Sequence, residues 1–462
     1  MINNMVDHHC TKEPSDMATQ MDLFKKFKYS NNNTLHNIVG FPLIIALFIA
    51  SFFFLGYTGI FRGIRHSDFS SCGSSISSTT AAIEAALSSN RRPGFLDQSG
   101  DHCDLFDGNW LWSNNHPLYQ SEDCPFMDVG FRCTENGRPD HFYSKWRWQP
   151  KDCDLPRFNS SEMLDKLRGR RVVFVGDSIG RNQWESLLCM LASGVANKNS
   201  IYEMNGNPIT KHKGYLVFMF KDYNCLIEYY RAPFLAYQGS PPKGASEQVK
   251  TTLRVDILAS GFRQWKHADL LIFNTGNWWT DEKTTKRGCY FQEGSEVKMN
   301  MSLETAFQKT METLMDFVEK KINKTKTLVL FRTLAPAHFR DGTWKNGGSC
   351  KLLKVPDLGL KKSRDRQVEI VSGVISRKSE SHEMMIKLLK VTNMSLQRKD
   401  GHTSIYYQPA VIGEVASHRQ DCSHWCLPGV PDAWNELLYA MFLKWESLRH
   451  SSSSSIVDVT ST

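Results

Sequence analysis

The sequence predicts an α/β fold: a doubly wound, mostly parallel sheet behind a disulfide-stapled N-terminal segment and a single N-terminal transmembrane helix. Three observations predict it. Between about residues 161 and 448, short apolar runs alternate with segments of helical period, the strand–helix–strand pattern that builds such sheets. Residues 38–61, IVGFPLIIALFIASFFFLGYTGIF, carry no charge and exceed the ~20 residues a helix needs to cross a bilayer. Of twelve cysteines, ten lie between Cys103 and Cys426, and an even count on the far side of an anchor reads as a disulfide framework.

Taken in order, residues 1–37 form a polar tail. Lys25, Lys26 and Lys28 precede the apolar run and only Arg62 and Arg65 closely follow it, which favours a cytosolic N-terminus and a type II, single-pass anchor. A cleaved signal peptide fits worse, because the run is too long and begins too late. Residues 62–100, with the stretch SDFSSCGSSISSTT, read as a flexible stem. Residues 101–160 are rich in Cys, Trp and turn residues, so a loop-rich, stapled segment is expected. In the body, 161–448, the strands read are RVVFVGD, YLVFMF, NCLIEYY, DLLIFNTG, TLVLFRT and TSIYYQ. Several are near-continuous apolar runs, as in a sheet covered on both faces. Helices are read over Arg181–Leu191, Leu303–Ile322 and Pro431–Leu443. Residues 449–462 read as a disordered tail.

Composition narrows the function. Apolar content is 41% and net charge +8, and no dense basic tract with interleaved aromatics argues for nucleic acid. No C-x-x-C pair occurs, so no zinc module is expected, and an oxidising compartment disfavours a metal cluster of His424 with Cys422 and Cys426. Eight of twelve tryptophans fall between Trp110 and Trp279; most read as core, and the sharper alternative is stacking on sugar rings. Sequons begin at Asn159, Asn300, Asn323 and Asn393, which suits a glycosylated secretory-pathway protein.

The chemistry centres on VVFVGDSIGR, Val172–Arg181. Gly176-Asp177-Ser178-Ile179-Gly180 matches a nucleophile elbow. Ser178 follows a buried strand at a helix start, where unpaired N–H groups can hold an oxyanion. The bland alternative is a capping serine in a βα turn, with Asp177 a second cap. Thr275 and Thr333, at strand ends, are expected to line the same crevice. Of the fifteen histidines, three lie in interesting loops: His338 in LAPAHFRDGTW, His402 in RKDGHTSIYY and His424 in DCSHWCLPGVPDAW. His402 precedes a strand and so falls at the wrong end of the sheet. Only His424 has a carboxylate three residues earlier, Asp421. In a turn that spacing lets Asp421 accept from Nδ1–H while Nε2 faces Ser178. Acid and base sharing one C-terminal loop marks the GDS-type, or SGNH, hydrolase rather than the α/β-hydrolase. Asp177 then shapes the turn.

From CDLFDGNW through WRWQPKDCDLPRF, VFVGDSIGRNQWESLLC, FNTGNWW, GCYFQEG, FRTLAPAHFRDGTWKNGGSC and RKDGH to DCSHWCLPGVPDAWNELLY, the chain resembles the plant trichome birefringence-like proteins. These are Golgi polysaccharide O-acetyltransferases with a type II anchor, and the likeness spans about 101–445. It implies Ser178 as nucleophile, with His424 and Asp421 completing the triad. Where family members often carry His, this chain has Asn277 in TGNWW. The resemblance also implies the disulfides Cys103–Cys153, Cys124–Cys189, Cys133–Cys426 and Cys350–Cys422, with Cys225 and Cys289 paired together or free.

The expected activity is acetyl transfer from a donor, through an acyl-enzyme on Ser178, to a cell-wall polysaccharide in the Golgi. Gly176, Asp177 and Arg181 of the elbow, with Asn274 and Asn277, are the candidates for oxyanion or substrate contacts. No tightly bound cofactor is expected. The donor is acetyl-CoA or an acetyl-carrier membrane protein, and the acceptor is xylan, pectin or a related glycan, with GCYFQEG tilting toward pectin. An acetyl-esterase with the same triad and a non-catalytic glycan-binding protein are the alternatives.

Overall fold

A computed structural model describes residues 92–97, 102–343, 345–351, 353–360, 364–379, 386–408 and 420–457. The expected cytosolic tail, anchor at 38–61 and most of the stem lie outside the described residues. Among the described residues no helix is long and apolar enough to cross a membrane.

The strands, in chain order, are β1 (Gly108–Trp112), β2 (Trp146–Pro150), β3 (Arg171–Gly176), β4 (Ile201–Glu203), β5 (Tyr215–Phe220), β6 (Cys225–Arg231), β7 (Ala236–Gly239), β8 (Thr251–Leu258), β9 (Leu270–Asn274), β10 (Cys289–Glu293), β11 (Glu296–Val297), β12 (Leu328–Arg332), β13 (Lys387–Leu389), β14 (His402–Ser404) and β15 (Asp421–Trp425). The main sheet has the order β13-β12-β9-β3-β6-β5-β4. From β13 to β6 neighbours run parallel; β5 and β4 add an antiparallel edge. The sheet is therefore mixed. β3 is central, β6 lies to one side of it, and β9, β12 and β13 follow on the other. This order reverses direction at β3, the switch point beyond whose strand ends such folds place their ligands.

The sequence of β3 explains its position. Val172 and Phe174 belong to one hydrophobic cluster and Val173 and Val175 to another. Alternate side chains thus feed cores on opposite faces, which an all-apolar strand requires. On the first face pack α2 (Ser178–Ala192), which follows α1 (Ser160–Lys166), and the final helix. On the second pack α3 (Leu303–Lys321) and α4 (Arg366–Ser379). The period read in the sequence is the buried stripe of α3: Ala306, Phe307, Met311, Leu314, Met315 and Val318 are all buried. A four-stranded sheet, β11-β10-β8-β7, borders the second core.

After the short α5 (Thr392–Leu396) and the β14–β15 ladder comes α6, Val430–Val457. It runs past Leu443 and past residue 449, where a disordered tail was expected, because extending a nucleated helix adds a hydrogen bond for each residue ordered. Residues 458–462 lie outside the described residues. TSIYYQ is also corrected. Only its first residues pair, in the β14–β15 ladder outside the main sheet, and at Ser404, φ 52°, the chain turns into a 3-10 turn over Ile405–Tyr407.

All four disulfides implied by the resemblance are formed. Cys225 and Cys289 are buried in the cores on opposite faces of the main sheet and do not pair with each other. The N-terminal segment is loop-rich, yet it contains the antiparallel β1–β2 pair, whose Trp110–Trp148 and Trp112–Trp146 rings meet edge to face across the strands. Trp184, Trp265, Trp279, Trp425 and Trp434 are fully buried, so these tryptophans are core.

Candidate active site

Beyond Gly176 the chain leaves β3, and Asp177, not Ser178, caps α2. Its Oδ1 accepts from the N–H of Ile179 at 3.0 Å and of Gly180 at 3.3 Å. Asn274, at the end of β9, donates through Nδ2 to the same oxygen at 2.6 Å. The two glycines of the elbow make this fit: a Cβ at Gly176 or Gly180 would run into the Asn274 side-chain oxygen. Beneath lies Arg332, 1% exposed, with Nη2 3.9 Å from Asp177 Oδ1; burial lowers its pKa to about 10 despite the Asp177 charge. Asp177 is fully buried. It is thus a cap and a hub, which corrects its candidacy as an oxyanion or substrate contact. Ile179 and Gly180 give their N–H groups to that cap, so they do not point outward as expected.

Ser178 opens α2 and is only partly buried. On the opposite side, the loop DCSHWC forms β15 and closes the turn the spacing predicts. Asp421 Oδ1 accepts from the N–H of Ser423 and of His424, both at 3.0 Å. Asp421 Oδ2 accepts from His424 Nδ1 at 2.7 Å. Burial raises the cost of charge on both groups, yet their mutual attraction prevails. Asp421 is held well below the usual carboxylate range and His424 is raised above its ordinary value. Among the described residues His424 Nε2 is buried and has no hydrogen-bond partner, Ser178 included. Disulfides flank the loop on both sides, Cys350–Cys422 and Cys133–Cys426.

The elbow and the loop are joined by Asn182. It lies one helical turn after Ser178, on the same face of α2. Its Oδ1 accepts from the Trp425 N–H at 2.8 Å and its Nδ2 donates to the Trp425 carbonyl at 3.1 Å. The residue after His424 is thereby clasped to the helix that Ser178 begins. From the N-terminal segment, the Phe131 ring packs on His424, centroids 5.6 Å apart, and the Arg181 guanidinium lies 5.1 Å from the Phe131 centroid. Arg181 is 4% exposed, with Nη1 bonded to Asp128 at 3.1 Å and Glu185 at 2.9 Å. It supports the site from inside and is corrected as a substrate contact. Burial raises the Glu185 carboxyl to about 7, against the pull of Arg181.

Other expected residues fall elsewhere. Thr275 and Thr333 are buried, their hydroxyls turned to the carbonyls of Pro233 and Leu389; they line one small cavity together, as expected, with Phe307, Leu334 and Gln367, but Ser178 is not part of its lining. Asn277 donates to the Ala335 carbonyl at 3.3 Å, and its side-chain oxygen is enclosed without a partner among the described residues. Asn159, Asn300 and Asn323 are exposed, whereas Asn393 is half-buried with its side-chain oxygen enclosed. No cluster suited to a metal occurs among the described residues. Asn182, Phe131 and Arg332 were missed by sequence reasoning. The available signal was polar residues in apolar settings: Asn182 and Gln183 before Trp184, and Arg332 closing the strand LVLFR.

The Asp177 cap takes the N–H groups of Ile179 and Gly180 and not that of Ser178, and Ser178 begins the helix to which the loop of the carboxylate-held His424 is clasped. The comparisons agree in kind. Residues 155–441 match the GDSL/SGNH-like acyl-esterase family found in Pmr5 and Cas1p, and residues 101–154 match the PMR5 N-terminal domain. Among relatives from Arabidopsis thaliana, trichome birefringence-like 9 is 46% identical over 365 residues, 76% of this chain and 87% of the relative. Trichome birefringence-like 6 is 42% identical over 349 residues, 74% and 71% of the two chains. Trichome birefringence-like 38 is 33% identical over 402 residues, 87% and 99%. The chain therefore belongs to the trichome birefringence-like family, and its body is an SGNH/GDSL-like esterase domain.

Proposed function

We propose that the protein is a polysaccharide O-acetyltransferase that works through an acetyl-serine intermediate. The observation that carries this reading is the Asp421–His424 pair clasped by Asn182 to the helix that Ser178 begins. His424 Nε2 takes the Ser178 hydroxyl proton as Oγ bonds to the acetyl carbon of the donor. The donor's leaving group departs with that proton. A sugar hydroxyl then gives its proton to His424 and attacks the acetyl carbon. The ester forms and the proton returns to Ser178. Asp421 holds the imidazole in the tautomer with a free Nε2. The Ser178 N–H and the second N–H of Asn274 Nδ2, the one not given to Asp177, are the donors for the oxyanion.

The donor is acetyl-CoA or an acetylated membrane carrier. The acceptor is a cell-wall glycan of the pectin or xylan class. The setting is the Golgi lumen behind a type II anchor at residues 38–61, which four disulfides and three exposed sequons favour. Purified full-length chain, given acetyl donor and pectin or xylan oligosaccharides, should add acetyl groups detectable by mass spectrometry, and Ser178→Ala should abolish this. Normal rates in that variant would refute the mechanism. Release of acetate from acetylated glycan with no transfer to naked glycan would replace the transferase by an acetyl-esterase. Binding of glycan without turnover in either assay would leave a lectin-like protein.

A further inference from the structure

Two histidines that this reaction does not use meet beside the catalytic loop. His402 is 2% exposed and lies flat against Trp425, centroids 4.0 Å apart and planes at 29°. Its Nδ1 is 2.9 Å from the His424 carbonyl oxygen, and its Nε2 is 2.6 Å from Nδ1 of His338. His338 Nε2 is in turn 2.9 Å from the Leu396 carbonyl oxygen.

The three polar contacts fix a proton count. Carbonyl oxygens only accept, so His402 Nδ1 and His338 Nε2 must each carry a proton. A neutral imidazole carries one proton. In two neutral rings both inner nitrogens would therefore be lone pairs, facing each other at 2.6 Å. That is a repulsive contact without a proton and a short, charge-assisted hydrogen bond with one. Turning either ring over would set a C–H against the facing lone pair, but it would also put carbon where that ring's other nitrogen now meets a carbonyl oxygen, so the flip gives up a hydrogen bond.

We propose that His338 and His402 share a third proton as an imidazole–imidazolium pair, and that this pair positions His424 by holding its backbone carbonyl. The proposal rests on His424 being the base of the acyl-transfer reaction. The third proton comes from solvent, and no covalent bond to carbon changes.

The charges around the pair fit this state. From the N-terminal segment Arg138 donates to the carbonyls of His402 and Asp400, and it pairs with Asp140. Asp400 pairs with Arg398, and Lys399 with Asp357. Among the described residues Asp421, beside a neutral His424, is then the one facing carboxylate not matched by a cation, and the shared proton balances it. Burial works the other way: it pushes His402 down to about 3, with His338 adding to the effect, and lowers His338 as well. Desolvation therefore favours two neutral rings, but two neutral rings cannot make the 2.6 Å contact. The contact decides in favour of the proton, and the cost of burial makes that proton the one lost as pH rises.

The test is nitrogen-15 spectroscopy of the full-length chain labelled at its histidine rings. A proton coupled to one nitrogen from each of two rings is expected, absent from both His338→Gln and His402→Gln. Two separate neutral rings at every pH where the chain is folded would overturn the proposal. Activity supplies the second arm. The two N–H groups of a glutamine amide at position 338 can serve the Leu396 carbonyl and His402 Nε2 with no third proton. Wild type should therefore lose turnover on the alkaline side, and His338→Gln should keep it there. His402→Phe retains the stack on Trp425 but not the hydrogen bonds, and should lower kcat about tenfold, one hydrogen bond's worth, with KM unchanged. Unchanged kcat in that variant would sink the positioning role. Turnover surviving in Ser178→Ala would overturn the acyl-enzyme reading instead and leave the spectra as they are, so the two failures are distinguishable.

Discussion

Replacing Asp421 by Asn separates orientation from folding at this site. The amide oxygen of asparagine can accept from the Ser423 and His424 N–H groups, as Asp421 Oδ1 does at 3.0 Å for each, so the turn should survive. The amide nitrogen would then face His424 Nδ1 across the contact that now spans 2.7 Å. A donor there makes Nδ1 the acceptor and moves the ring proton to Nε2, the atom that must receive the Ser178 proton. Reversing the tautomer in this way costs on the order of 10⁴ in kcat in Ser-His-Asp enzymes, or about 5 kcal/mol of transition-state stabilisation. The assay is kcat for acetyl transfer to an oligosaccharide, with thermal unfolding measured alongside. A folded Asp421→Asn variant that keeps kcat within about tenfold of wild type would refute the reasoning.

Asp421 raises the pKa of His424 above its ordinary value, against burial, so the base is protonated early. Turnover should fall as pH drops through a value above the ~6.5 of a free imidazole, which a pH–rate profile reads directly. Burial notwithstanding, the Asp421 carboxylate is held below its usual range. Its contribution to stability is therefore present above the unfolded value near ~3.9 and lost as pH falls through the folded one; acid unfolding of Asp421→Asn should show a flatter pH dependence there. Gly180→Ala places a Cβ against the Asn274 side-chain oxygen. It should cost about 1–3 kcal/mol in thermal unfolding and slow turnover by displacing the Asp177 cap. Removing the Cys350–Cys422 bridge, with a sequence separation of 72, by Cys350→Ser with Cys422→Ser should cost about 4 kcal/mol by loop-closure entropy, and activity should fall before the melting transition.

Much of the frame was legible because it is written locally. The apolar runs that become β3, β9 and β12, and the stripe that becomes α3, are contiguous or periodic. The Asp421–His424 spacing is itself a turn, so the carboxylate–imidazole pair could be recognised without knowing what lies across from it. β7, β8, β10 and α4 escaped notice. TTLRVDIL is broken by the charges of Arg254 and Asp256, CYFQE is a five-residue run with only its first three residues apolar or aromatic, and α4 follows a long, irregular stretch. His402 was discounted for preceding a strand of the main sheet. In the fold that strand pairs with β15 instead, which carries His402 to the DCSHW loop.

The sequence by itself determined the strand–elbow–helix unit around Ser178, the DCSHW turn and, through resemblance, the disulfide pattern, since each depends on residues close in the chain or on family likeness. Only the tertiary structure decided which polar residues serve the site. Asn182 clasps Trp425, Asn274 anchors the cap, Arg332 lies beneath it, and His338 meets His402. Their partners lie far away in the chain, and whether a buried polar group is a prop, a cap or a base depends on which hydrogen-bond partner the packed core brings to it.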